Sequence, residues 1–161
     1  MTTLAFDGKT FAADKQSTCG SRKATVTKVW KITPKGRKGS VLLGVCGNVV
    51  DGLLVKEWVE AGMPVDDKPV IEDVGAIVVT PTGRILELDN SVVPIEIEDS
   101  FIAIGSGGNY AMGAMAAGKS AVEAVEIAGR FDPYTGRGVT VVELDDPVGK
   151  PKVSRKRVST T

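Results

Sequence analysis

The chain has 161 residues, 42% hydrophobic and 25% charged, with a formal net charge of zero. That length suits one domain with a sizeable core, and the charge balance gives no global field that would draw nucleic acid or a membrane. No apolar run is long enough for a transmembrane helix, no signal-peptide core is present, and two cysteines do not make a disulfide scaffold. Histidine is absent altogether. This removes Ser-His-Asp and Cys-His hydrolases, imidazole-built zinc sites and histidine general bases. Any hydrolase built on this chain must take its base from an amine, a carboxylate or a lysine. A cytoplasmic, reduced protein without metal or cofactor is expected.

The chain begins Met1-Thr2. If an aminopeptidase removes Met1, as a small second residue permits, Thr2 carries a hydroxyl and a free α-amine on one residue. An α-amine titrates near ~7.7–8.0 and can act as a base at neutral pH. The pair is one variant of the activated nucleophile, although many chains begin Met-Thr for no catalytic reason. Asp7-Gly8 lies between two β-like runs, Thr3–Phe6 and Thr10–Ala13. It predicts a tight hairpin that pairs Phe6 with Lys9 and Thr2 with Ala13. The Asp14 carboxylate then lies near the chain start, in reach of a terminal ammonium or a lysine, or merely ends the strand.

Residues 17–22 read as a loop broken at Gly20. Residues 24–32, rich in β-branched side chains, read as one strand. On that strand Lys28 shares a face with Ala24, Val26, Trp30 and Ile32. A lysine among apolar neighbours either snorkels or has a lowered pKa and a task. Residues 34–39 form a basic turn. Val41–Cys46 is a buried strand, followed by a helix capped by Asn48 or Asp51. Val50, Leu53, Leu54, Trp58 and Val59 supply its apolar face, and Gly62 and Pro64 close it. Residues 63–73 are a proline-containing connector. A hairpin follows at 75–80 and 84–88, then a short β segment at 92–97 and a buried strand at 101–104. A helix is predicted from Asn109 to Ala117. A second runs from Ser120 to Arg130, with Ser120 and Glu123 as a capping box. A loop at 132–138 leads to the last strand, 139–144. One domain over residues 1–148 is expected, with a solvated basic extension at 149–161. Cys19 and Cys46 read as small packing residues. Strands joined by hairpins make the sheets largely antiparallel. Helices separated in sequence can cover opposite outer faces, giving an α+β layered sandwich.

Gly113 to Ser120 matches the phosphate-loop pattern G-x-x-x-x-G-K-[ST]. Its first glycine should follow directly on a buried strand, but here an Ala-Met segment that favours helix precedes it. A helix–glycine–helix joint with Ser120 as cap fits better than an anion cradle.

The ordered set of segments resembles the proteasome-type N-terminal-nucleophile hydrolases, particularly HslV-type peptidases and proteasome β subunits. The matching residues are Thr2-Thr3, Ala13 to Thr18, Thr27-Lys28-Val29, Gly44 to Gly47 with Asp51, Ile104 to Ala111, and Asp132 to Gly136. The resemblance implies a four-layer αββα sandwich of two largely antiparallel sheets. It implies Thr2 as nucleophile, Lys28 as electrostatic activator, Asp14 as its orienting partner and the Gly44 N–H as oxyanion donor. Ser106, Asp132 and Thr135 would hold the amine and a water network. Val26, Leu42, Cys46, Val50 and Thr18 would line the substrate-binding pocket. The implied protein is a threonine endopeptidase working through an acyl-Thr2 intermediate in a homo-oligomeric ring. It would take unfolded protein or peptide substrates from an ATP-dependent unfoldase and have no membrane or nucleic-acid partner. This chain departs from the family between Gly62 and Gly75, where the usual second helix is missing. The competing readings are a non-catalytic ring or scaffold subunit of the same fold and a small-amide amidohydrolase.

Overall fold

The computed structural model describes residues 1–145; the basic extension read at 149–161 and the domain boundary at 148 lie outside the described residues. Eleven strands and three helices follow in the order β1 (Thr3–Phe6), β2 (Thr10–Asp14), β3 (Gln16–Cys19), β4 (Arg22–Thr25), β5 (Val29–Ile32), β6 (Val41–Gly47), α1 (Val49–Glu60), β7 (Val74–Val79), β8 (Ile85–Leu88), β9 (Ile95–Ile97), β10 (Ile102–Gly105), α2 (Gly108–Ala116), α3 (Ala121–Phe131) and β11 (Val139–Glu143). A four-stranded sheet has the order β10-β1-β2-β11, a five-stranded sheet the order β5-β6-β7-β8-β9, and β3-β4 form a separate hairpin. All pairings are antiparallel.

Side-chain alternation along the strands sorts the core into three layers. Leu4, Phe6, Phe11 and Ala13 face Leu42, Ile77 and Val79 between the two sheets. On the other face of β6 and β7, Val41, Leu43, Val45, Ala76 and Val78 pack under Val55, Trp58 and Val59 of α1. On the other face of β1 and β2, Ala5 and Ala12 meet α2 and α3 through Ala111, Ala114, Ala121, Ala124 and Ala128. The result is the expected αββα sandwich. No helix occupies residues 61–73, so the usual second helix is missing as the sequence indicates.

Four local expectations are corrected. The first hairpin pairs Phe6 with Phe11 and Leu4 with Ala13, not Phe6 with Lys9. Its connection is longer because the Asp7 carboxylate accepts the N–H groups of Lys9 (3.1 Å) and Thr10 (2.8 Å), stabilising a wider turn than Asp-Gly alone calls for. Residues 17–22, read as a loop, belong to the β3–β4 hairpin, with Gln16 opposite Thr25. The strand read over 24–32 is two strands, β4 and β5, in different sheets. Residues 26–28 form the crossing, so Lys28 sits at a break rather than within one strand face. On α1 the buried residues are Gly52, Val55, Trp58 and Val59, whereas Val50 is 65% and Leu53 47% exposed and Leu54 lies outside with them. The inner face is set by Gly52, where a Cβ would lie 2.8 Å from the Val45 methyl, so the helix seats closely on β6 there.

The glycine-flanked joint at 113–120 is helical packing. Gly113 lies inside α2. The Ser120 hydroxyl accepts the Glu123 N–H while the Glu123 carboxylate accepts the Ser120 N–H. Among the described residues no helix is long and apolar enough to cross a membrane.

Candidate active site

The β1–β2 pairing brings the chain start against the end of β2. There the Asp14 carboxylate, wholly buried, is surrounded by donors. Its Oδ1 accepts the Thr3 N–H (3.0 Å) and pairs with Lys28 Nζ (2.8 Å). Its Oδ2 accepts the N–H groups of Gln16 and Gly136, each at 3.1 Å. Four donors satisfy both oxygens, which is what a buried carboxylate needs. Asp14 therefore ties together β1, β3, the crossing at Lys28 and the loop before β11.

Lys28 reaches this point from the edge of the second sheet, where its carbonyl accepts the Val45 N–H (2.9 Å). The side chain is buried, and its Nζ lies 3.5 Å from the Met1 carbonyl oxygen. Burial lowers the Lys28 pKa below the ordinary lysine value; the Asp14 charge and hydrogen bond oppose that shift without cancelling it.

On the other side of Thr2, the turn between β10 and α2 supplies Ser106. The Thr2 N–H donates to Ser106 Oγ (3.0 Å), and Ser106 Oγ donates to Asp132 Oδ2 (2.6 Å). Thr135 Oγ1 donates to the same Asp132 oxygen (2.6 Å) and lies 2.6 Å from Thr3 Oγ1. A hydroxyl has one proton, so with Thr135 donating to Asp132, Thr3 is the donor in the second bond. Burial alone would raise the Asp132 pKa. The hydrogen bonds from Ser106, Thr135 and the Tyr134 N–H, with the nearby N-terminal charge, outweigh it and hold the carboxyl below its usual range. The close approach depends on glycine. Gly105 has φ +99°, and a Cβ there would collide with the Thr2 carbonyl, as one on Gly107 would with the Thr3 hydroxyl.

The Thr2 hydroxyl donates to the Met1 carbonyl oxygen (2.5 Å) at the floor of an open cleft of about 310 Å³. Val26, Cys46, Val50 and Thr18 line this cleft together with Thr2 and Lys28. Burial pushes the Cys46 thiol up, which suits a packing residue rather than a thiolate nucleophile. Among the described residues no group of three or more Cys, Asp or Glu side chains converges as a metal site would.

Two expected positions lie elsewhere. Leu42 is wholly buried between the sheets, paired with Val79 and Lys31, and does not reach the cleft. Gly44 also lies against the inter-sheet core, where a Cβ would collide with the Phe11 ring. The N–H groups of an antiparallel strand alternate between its two edges. The Val45 N–H goes to Lys28, so Gly44 and Cys46 point theirs towards β7, where Gly44 sits opposite Ile77. Gly47 instead shares the Val45 edge. β5 begins at Val29, opposite Gly44, so no strand residue lies opposite Gly47 on that side. Alternation thus turns its N–H away from β7, on the side where Gly47 lines the cleft. Gly47 has φ +96°, and a Cβ on it would lie 2.5 Å from the Asp73 carbonyl oxygen.

Gly47 and Thr3 are thus site residues that the sequence reading missed, as is Gln16. The Gln16 amide donates to Thr18 Oγ1 (3.0 Å) and to the Pro133 carbonyl (2.9 Å), linking the cleft wall to the Asp132 loop. Strand alternation offered a signal for Thr3, which must face away from Thr2. Nothing in local spacing marked Gln16.

No family model matches the chain. It is 29% identical over 164 residues to the ATP-dependent protease subunit HslV of Bacillus cereus (strain B4264), an alignment covering 83% of this chain and 89% of that one. Among solved structures, eukaryotic HslV from Trypanosoma brucei superimposes with a TM-score of 0.61 at 23% identity, covering 90% of this chain and 99% of that chain. Thiobacillus denitrificans BPH in complex with epoxomicin gives a TM-score of 0.62 at 20% identity, again covering 90% and 99%. The fold is the one that these HslV and BPH structures share. In sequence as well as in architecture the chain is similar to HslV.

Proposed function

We propose that the protein is a threonine peptidase that cleaves peptide bonds through an acyl-Thr2 intermediate once Met1 is removed. The observation that carries this reading is the Thr2 hydroxyl and backbone nitrogen held between two built groups, Lys28–Asp14 on one side and Ser106–Asp132–Thr135 on the other. Removal of Met1 turns the Thr2 amide into a primary amine beside Ser106 Oγ. The hydroxyl attacks the substrate carbonyl and its proton passes to this amine, directly or through a water. Lys28, as an ammonium, lowers the cost of developing alkoxide on Thr2, and Asp14 keeps it in place. The tetrahedral oxyanion takes the Gly47 N–H. Collapse breaks the C–N bond, the departing amine takes the proton back, and water then hydrolyses the acyl ester by the same route. Preorganised donors of this kind act without reorganising during the step. The apolar wall of Val26, Cys46 and Val50 favours apolar side chains before the scissile bond.

The reading extends to assembly. The exposed Val49, Val50, Leu53 and Leu54 of α1 form an apolar face larger than isolated surface residues account for, and we place it between neighbouring subunits of a homo-oligomeric ring. The Bacillus cereus relative is named an ATP-dependent protease subunit. An ATP-dependent unfoldase is accordingly the partner proposed to feed unfolded chains, and a cytoplasmic location goes with it.

The test is peptide mass mapping with single-turnover labelling by a peptide epoxyketone, a warhead that needs both a hydroxyl and an adjacent free amine. Thr2 at the mature N-terminus, carrying the label, is expected. Active protein that quantitatively retains Met1, or a label on any other residue, overturns the mechanism.

A further inference from the structure

Gly47 owes its orientation to the chain segment behind it. The Asp73 carbonyl packs against Gly47 and accepts the Asn48 N–H (2.8 Å). Asp73 belongs to the connector of 61–73, which has no helix of its own to stiffen it. Two side chains hold the connector instead. Asp51 Oδ2, from the first turn of α1, accepts the N–H groups of both Glu72 and Asp73 at 2.9 Å. Asn90 Oδ1 accepts the next N–H, of Val74 (2.8 Å), while its amide donates to the Glu72 carbonyl (2.6 Å). Three successive backbone N–H groups are thus caught by two side chains, at the point where the connector touches the Gly47 turn. The two N–H bonds also hold the Asp51 carboxyl below its usual range, so the acceptor stays ionised. Asn48, not Asp51, caps α1, accepting from Val50 (2.8 Å) and Asp51 (3.3 Å). The Asp51 carboxylate is therefore free of the ordinary capping task and is committed to the connector.

We propose that Asp51 is a positioning residue: by clamping residues 72–73 behind the Gly47 turn, it sets the direction of the N–H that receives the oxyanion. This rests on the peptidase reading for its kinetic consequence, but not for its geometry. Misplacing a catalytic donor by about 1 Å costs on the order of 10²-fold. Asp51→Ala is expected to lower the first-order acylation rate of Thr2 about 10-fold to 100-fold, with the concentration for half-maximal rate within about twofold of wild type. Asp51→Asn keeps an oxygen acceptor and is expected to restore most of the rate, which a requirement for negative charge alone would not allow. Asn90→Ala loosens the same segment from the other side without touching α1. It should move the Gly47 amide resonance as Asp51→Ala does, and it stands in if Asp51→Ala does not fold. The amide shift is read in the resting protein by ¹⁵N–¹H spectroscopy and needs no turnover. Wild-type protein that fails to acylate would remove the peptidase reading while leaving the clamp to be decided by that shift. An unmoved Gly47 amide in folded Asp51→Ala and Asn90→Ala overturns the clamp. A moved amide with a wild-type acylation rate overturns the link to the oxyanion.

Discussion

In the proposed mechanism Lys28 is the residue on which the chemistry turns. Its stem is enclosed and its ammonium meets one carboxylate oxygen at 2.8 Å. Lys28→Met keeps the volume and deletes the charge. It is expected to reduce Thr2 acylation by at least about 10²-fold, with the circular dichroism spectrum retained; near-normal labelling in a folded variant would count against the mechanism. The same residue predicts a pH profile. The rate should rise as the α-amine loses its proton near ~7.7–8.0. It should fall again on an alkaline limb below 10.5, because desolvation lowers the Lys28 pKa from that value and the neutral amine no longer favours an alkoxide. The linkage sign is definite. A lysine whose folded pKa is depressed costs stability while charged, and that cost is relieved as pH rises from the folded to the unfolded pKa. An alkaline loss of rate without a loss of fold is therefore the signature, seen by running both measurements on one pH series. Thr2, Asp14 and Lys28 stood out as candidates because their residue types are unusual where they stand, at a chain start, at a strand end and among apolar neighbours; the roles proposed for them came from the resemblance. Gly47 did not stand out, because whether an N–H is left without a strand partner depends on where the neighbouring strand stops.

At the scale of elements, most strands and all three helices follow from periodicity and end signals. The capping box at Ser120 and the left-handed Gly62 after α1 lie where they were read. The misreadings of 24–32 and of α1 have separate causes. The run 24–32 is β-prone throughout, yet it divides between two sheets, and no local pattern records a change of partner. Helix α1 is apolar on both faces, so counting apolar positions could not choose the inner one; the small Gly52 did. β6 offers a test that separates packing from chemistry. Gly44→Ala forces a methyl into the Phe11 ring and is expected to destabilise the fold by about 1–3 kcal/mol, measured as a lowered urea midpoint. An unchanged midpoint would show that the Phe11 ring does not hold the space beside Gly44.

For the whole molecule, the exposed face of α1 beside the cleft is the feature a lone chain does not explain. Placed in a ring interface, Leu53→Asp should shift the assembly towards smaller species by light scattering, with the monomer's circular dichroism unchanged. An unaltered mass distribution would locate the interface elsewhere. The layered fold was legible from the order of elements and its two sheets from the resemblance, whereas which strands share each sheet came only with the pairing.

The two outer layers of the sandwich are filled by opposite means. Between α1 and its sheet meet Leu43, Val55, Trp58 and Val59; between α2–α3 and theirs meet mostly alanines. A layer of alanines lets helices sit close to a sheet, and here that closeness carries Ser106, Asp132 and Thr135 into reach of residues 2 and 3. The chain must therefore tolerate sequence drift in opposite directions on its two sides. Beneath α1, shrinking a side chain leaves a void that the fold can survive at some loss. Beneath α2 and α3, each added methylene at Ala12, Ala111 or Ala124 lifts the helix pair and the hydroxyl network with it. A saturation library sorted for folded but inactive protein should accordingly gather enlargements in one layer and few truncations from the other.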